Sequence, residues 1–154
     1  MGTTDKNVVR ATLEGTAESH SRTLLRVRDL IDVSDEPEAR GGTNEGFAPT
    51  ELLIGALVSC TNVISHKIAA KHGIEIEGMT IDAVYDFDRR GVTLQEEVTL
   101  PFPRIELKIE VTTTSPASEV EILERELPRF CAVSKVIKES GTDLVTEWVL
   151  RNPG

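Results

Sequence analysis

Cys60 and Cys131 are the only two cysteines in a chain of 154 residues, and both stand in apolar-periodic surroundings. A thiolate attacks peroxides and disulfides and binds metals, and its reactivity follows its ionisation. If the two cysteines meet in space they form a redox pair. If they do not, they are two small hydrophobes. Cys60 closes the apolar run that starts at Glu51, and its helical neighbours are Ala56, Leu57, Val63 and Ile64. Such surroundings leave a thiol inert, so a reactive Cys60 needs a cation from another element. Arg22, Arg26 and Arg28 are the available donors. Cys131 follows Arg129 and Phe130 at the start of a second apolar-periodic segment. The free amides and dipole of a helix start favour thiolate there. An inert, half-buried cysteine at a helix start fits the same local sequence.

Glu51 lies nine residues before Cys60. On one straight helix that is roughly 13 to 14 Å of rise, so the two cannot touch within it. Either Glu51 complements the helix dipole, or it joins a cysteine site from a second subunit or through an arginine. The three histidines, His20, His66 and His72, have no metal-ligand spacing with one another or with the cysteines. Gly41 to Gly46 lacks the lysine of a phosphate-cradling loop. Ser59 and Ser65 lack a matched histidine and acid. No metal or cofactor is expected.

The elements that must position these residues follow from periodicity. Residues 8–17 and 22–33 read as two strands joined by a polar turn at 18–21. A Gly- and Pro-bearing loop over 35–46 follows. Pro49 suits the first position of a helix, Glu51 its first turn, and Gly73 its stop after His72. The first half of that helix is apolar nearly all round, which predicts a buried helix. Residues 74–87 resume a two-residue period, and Ile105, Leu107, Ile109 and Val111 alternate with Glu106, Lys108 and Glu110. Ser115 and Pro116 read as N-cap and first helical residue, with a stripe of Val120, Leu123 and Leu127 and a break at Pro128. A further helix starts near Cys131 and ends at Gly141, and a last strand over 144–150 carries Trp148. The order ββ-α-ββ-αα-β predicts an α+β class with a mostly antiparallel sheet.

The length suits one domain over 1–154. With one Trp and one Tyr the core must be built of aliphatic residues. A net charge of -9 argues against a nucleic-acid backbone or an anionic membrane surface as partner. The apolar stretch 52–58 is too short to span a membrane. The N-terminal residues lack an apolar leader core, and Lys6 stands where a myristoylation motif needs Ser or Thr. A cytoplasmic protein with reduced thiols is expected.

Taken together, Asp35-Glu36-Pro37-Glu38, the stretch from Gly41 through Pro49 and Glu51 to Cys60, and Arg129 to Ser134 resemble the OsmC/Ohr family. That family pairs a P-x-E-L-L-x-x-A-L-x-x-C helix with a C-P-V-S segment about seventy residues later. The likeness spans nearly the whole chain, including strand order and the last strand with Trp148. Ala132 stands where the family's second motif has proline. The Asp-Glu-Pro and Gly-Gly loop resembles the broad OsmC-like branch more than the dedicated organic-hydroperoxide branch.

The resemblance implies an OsmC-like fold: mostly antiparallel sheets wrapped around long central helices, in an intertwined homodimer with sites at the subunit interface. It implies a thiol peroxidase of oxidative-stress defence. Cys60 would be the peroxidatic thiol, Cys131 the resolving one, and Glu51 the partner of an active-site arginine, Arg28 or Arg22. The expected substrate is an organic hydroperoxide rather than hydrogen peroxide, and the reductant a dithiol such as dihydrolipoamide. Two other classes compete: a non-catalytic redox sensor or binder of small apolar ligands on the same scaffold, and a structural protein with two inert thiols. Peroxide-driven loss of two thiols per chain marks the first reading. Oxidation without turnover marks the second, and thiols that resist alkylation until unfolding mark the third.

Overall fold

The computed structural model describes residues 5–154. Met1 and Gly2, weighed above for lipidation, lie outside the described residues. The chain divides into two compact units, Met1–Leu53 and Ile54–Gly154.

In the first unit β1 (Glu14–Ala17), β2 (Thr23–Val27) and β3 (Leu30–Ser34) form an antiparallel meander in the order β1-β2-β3. Register pairs Glu14 with Arg26, and Val27 with Leu30. The strand expected over 22–33 is thus two strands. The chain reverses through Arg28 and Asp29, and Arg28 takes a positive φ of 54°. A tight hairpin needs that left-handed angle to match strand twist, but arginine is not a residue that advertises it. The strand expected over 8–17 shrinks to its last four residues, because β2 is only five residues long. Val8, Val9 and Leu13 are exposed.

Asp35 organises the loop that follows. Its buried carboxylate accepts from the amides of Glu36 (2.8 Å), Thr43 (3.0 Å) and Glu45 (3.3 Å) and from the Thr43 hydroxyl (2.5 Å). The Thr43 hydroxyl, followed by the amides of Glu45 and Thr43, holds the Asp35 pKa well below the usual carboxylate range against the cost of burial. A β-carbon on Gly42 would overlap the Glu36 carbonyl, and one on Gly46 the Val33 carbonyl, so both loop positions demand glycine.

Helix α1 (Pro49–His72) starts and stops where its proline and glycine signals predict, with Gly73 at φ 70°. In the second unit β4 (Gly78–Tyr85), β5 (Arg104–Thr112) and β6 (Asp143–Arg151) form a sheet in the order β4-β5-β6. β4 is antiparallel to β5, whereas β6 runs parallel to it. A parallel pair needs a crossover, here α2 (Ala117–Phe130) and α3 (Ala132–Glu139). The alternation in β5 puts Ile105, Leu107, Ile109 and Val111 in the core with Leu57, Ile68, Val120, Leu123 and Leu127.

Three further expectations are corrected. First, α1 buries one stripe, Ile54, Leu57, Thr61, Ser65 and Ile68, and leaves Leu53 and Val63 exposed. Its apolar circumference exceeds what this chain covers. At 24 residues α1 is long and apolar enough to cross a membrane, yet its buried stripe belongs to the core. Second, Pro116 and not Ser115 occupies the N-cap of α2. The Ser115 amide donates instead to the Thr113 hydroxyl at 2.9 Å. Third, Pro128 does not break α2, which runs to Phe130. In the last turn proline removes a single intrahelical bond, and burial of Leu127 outweighs that loss.

Candidate active site

Cys60 is carried midway along α1, inside the second unit. Cys131 sits at the joint of α2 and α3. Its φ of -74° and ψ of 106° leave the helical region, so it ends one helix and caps the next. Four bonds fix it there. Its amide donates to the Leu127 carbonyl (3.0 Å), and its carbonyl accepts from the Lys135 amide (3.1 Å) and the Ser134 hydroxyl (3.1 Å). Its sulfur accepts the Ser134 amide at 3.4 Å, the bond of an N-cap side chain.

The two sulfurs are 2.9 Å apart, although 71 residues separate the cysteines in sequence. Both are free thiols; Cys60 is half-buried and Cys131 has 0% of its surface exposed. Burial raises the Cys60 pKa above the ordinary thiol value, and the Cys131 sulfur adds to that rise. The backbone amides of Val133 and Ala132 pull the other way.

Between α1 and α2 lies an open apolar groove of about 230 Å³, lined by Ile64, Lys67, Ile68, Lys71, Glu126 and Phe130. Ile64 is one helical turn beyond Cys60, and Phe130 adjoins Cys131 in the chain. Glu126 is nearly buried and accepts from or pairs with His72 Nε2 at 3.1 Å. That contact keeps the Glu126 carboxyl below its usual range.

The remaining residues named from sequence sit elsewhere. Glu51 is exposed in the first turn of α1 and accepts the Ala48 amide at 2.8 Å, half of a capping box. Arg22 pairs with Glu18 at 2.7 Å and Glu45 at 3.0 Å, all within the first unit. Arg28 is exposed at the β2–β3 turn, with no ion pair among the described residues. Arg129 lies over the Phe130 ring at 5.4 Å. The capping role of Ser134 toward Cys131 escaped the sequence reading. Ser134 stands three residues after Cys131, a capping spacing that a cysteine in the first position disguised.

A family model described as OsmC-like protein matches residues 42–147. No curated protein matches the chain. Among solved structures, an OsmC-like protein from Mycoplasma pneumoniae has a TM-score of 0.78 at 14% identity, covering 92% of this chain and 97% of that one. An organic hydroperoxide resistance protein OsmC from Legionella pneumophila has a TM-score of 0.69 at 14% identity, covering 94% and 99%. An organic hydroperoxide resistance protein from Elizabethkingia anophelis has a TM-score of 0.65 at 14% identity, covering 97% and 100%. At these identities the likeness establishes the fold.

Proposed function

The chain belongs to the OsmC-like protein family, and on that premise we propose that it is a cysteine-based peroxidase that reduces organic hydroperoxides. The observation that carries this reading is the 2.9 Å contact between the Cys60 and Cys131 sulfurs. The burial difference supports the division of roles. Half-buried Cys60 is open to a peroxide, whereas buried Cys131 is shielded from one and held against its partner.

In this mechanism the Cys60 thiolate attacks one peroxide oxygen and the O–O bond breaks. The leaving alkoxide takes a proton and departs as an alcohol, and Cys60 becomes a sulfenic acid. The Cys131 thiolate then attacks the Cys60 sulfur, a disulfide forms, and hydroxide leaves as water after protonation. Closing the bond takes the sulfurs about 0.9 Å nearer than their 2.9 Å contact. A dithiol of the dihydrolipoamide type returns two electrons and two protons through a mixed disulfide. The groove that begins at Ile64, one helical turn from Cys60, supports an organic substrate, since each buried methylene adds about 0.8 kcal/mol that hydrogen peroxide lacks.

The raised Cys60 pKa calls for a cation at the working site. We assign it to an intertwined homodimer in which an arginine, with Glu51 as its acidic partner, serves Cys60 across the interface. The exposed Leu53 and Val63 on α1 support such a second copy. Arg28 is favoured over Arg22 because Arg22 is already engaged by Glu18 and Glu45. Reduced thiols suit a cytoplasmic location.

The test is consumption of cumene hydroperoxide and of hydrogen peroxide by the reduced protein with dihydrolipoamide, beside Cys60→Ser. Turnover that prefers the organic peroxide and vanishes in Cys60→Ser is the expected outcome. Absence of turnover with either peroxide, in folded protein whose thiols alkylate slowly, overturns the reading.

A further inference from the structure

The start of α3 has more hydrogen-bond donors than its own chain uses. The first amides of a helix have no intrahelical acceptor. In α3 the Ser134 amide goes to the Cys131 sulfur and the Lys135 amide to the Cys131 carbonyl. The amides of Ala132 and Val133 have no backbone acceptor among the described residues. Both open from the helix end that Cys131 caps, where the Cys60 sulfur lies 2.9 Å from the capping sulfur. We propose that the Ala132 and Val133 amides form a two-donor seat for the Cys60 thiolate, and that the Ala132 N–H favours ionisation of the reactive thiol alongside the arginine assigned above. This rests on Cys60 being the attacking thiol.

Other groups leave that seat to the amides. From α2, Arg129 is drawn over the Phe130 ring. From α1, Lys67 and Lys71 follow Cys60 by about two and three turns, roughly 10 and 16 Å of rise. The titratable group in contact with Cys60 is Cys131. Both amides act on Cys60 in the acidifying direction, against the larger effect of its burial. In charge terms, two N–H dipoles without a backbone acceptor at a helix start offset part of the burial that disfavours thiolate.

Ala132 gives a clean way to remove one donor. It is the first residue of α3, a position that accepts proline because the fixed φ is already helical. Cys131, before it, is extended at ψ 106°, as a residue preceding proline prefers. Ala132 is exposed, so Ala132→Pro deletes the N–H with little change in packing. A hydrogen bond to a charged acceptor corresponds to about one pH unit of ionisation, or about tenfold less thiolate below the midpoint.

The experiment measures the pH dependence of Cys60 alkylation in a Cys131→Ser background, where serine keeps the α3 cap and a single thiol titrates. Ala132→Pro is expected to move the midpoint up by about one unit, and Ala132→Gly, which keeps the N–H, to leave it in place. An unchanged midpoint in a folded Ala132→Pro protein overturns the proposal. Should that variant not fold, amide proton shifts of Ala132 and Val133 in the Cys131→Ser protein decide the matter. Downfield movement that follows Cys60 ionisation supports the seat, and shifts that ignore it overturn it. Neither readout needs peroxide turnover, so failure here is distinct from failure of the peroxidase reading.

Discussion

Replacing Cys131 with serine separates the attacking step from the resolving one. Serine is a strong N-cap residue, so it retains the cap that the Cys131 sulfur gives the Ser134 amide at 3.4 Å. Alanine does not, and Cys131→Ala is expected to be about 1 kcal/mol less stable than Cys131→Ser. Both variants leave Cys60 without the thiol 2.9 Å away. Groups oriented in contact reach effective concentrations on the order of 10⁵ M. If only one part in 10⁵ of that advantage is realised, about 1 M, Cys131 still resolves a sulfenic acid roughly a thousandfold faster than millimolar external thiol. The assay mixes reduced protein with one equivalent of cumene hydroperoxide, traps sulfenic acid with dimedone at successive delays, and reads adducts by mass spectrometry. The parent is expected to pass rapidly to a disulfide with little adduct. Cys131→Ser should hold the sulfenic acid, trap almost fully, and over-oxidise with excess peroxide. Equal adduct lifetimes in parent and variant, or undiminished turnover of Cys131→Ser with a dithiol, would refute the resolving role.

Three further outcomes test the fold that holds the site. Leu57→Ala, one helical turn before Cys60's own, empties a fully buried core position and is expected to cost about 2–5 kcal/mol in urea unfolding. Gly46→Ala forces a methyl into the Val33 carbonyl and should destabilise by about 1–3 kcal/mol, read as a lower denaturation midpoint with unchanged slope. Asp35→Asn removes a carboxylate whose folded pKa is depressed by the Thr43 hydroxyl and the loop amides. A depressed acid contributes stability that is complete above its unfolded pKa, about 3.9, and is lost as pH falls toward the folded value. The stability gap between parent and Asp35→Asn should therefore be widest at neutral pH and narrow below about pH 4. A gap independent of pH would assign the loop's stability to something other than this charge.

Much of the architecture was legible from short-range signals. Pro49 and Gly73 bound α1 because proline sets a helical φ and glycine accepts the 70° angle after the last turn. The alternation through β5 predicts its buried face because side chains on a strand have a period of two. Where the structure departs, the deciding force was not local. Arg28 turns the chain against its own preference because pairing of β2 with β3 demands a tight reversal. Pro128 stays inside α2 because burial of the neighbouring Leu127 outweighs one missing bond.

The sequence by itself determined that two thiols stand on helical segments, and that one opens a helix whose free amides favour an anion. Helix and strand propensity act over a few residues, so such features survive without knowledge of the rest of the chain. Only the tertiary structure decided that the thiols meet. The parallel placement of β6 beside β5 requires α2 and α3 to cross over the sheet. That crossover, packed with α1 in one aliphatic core, puts the α2–α3 joint at the middle of α1. A contact across 71 residues depends on which faces are buried together, and that is a property of the packed core that no local pattern encodes.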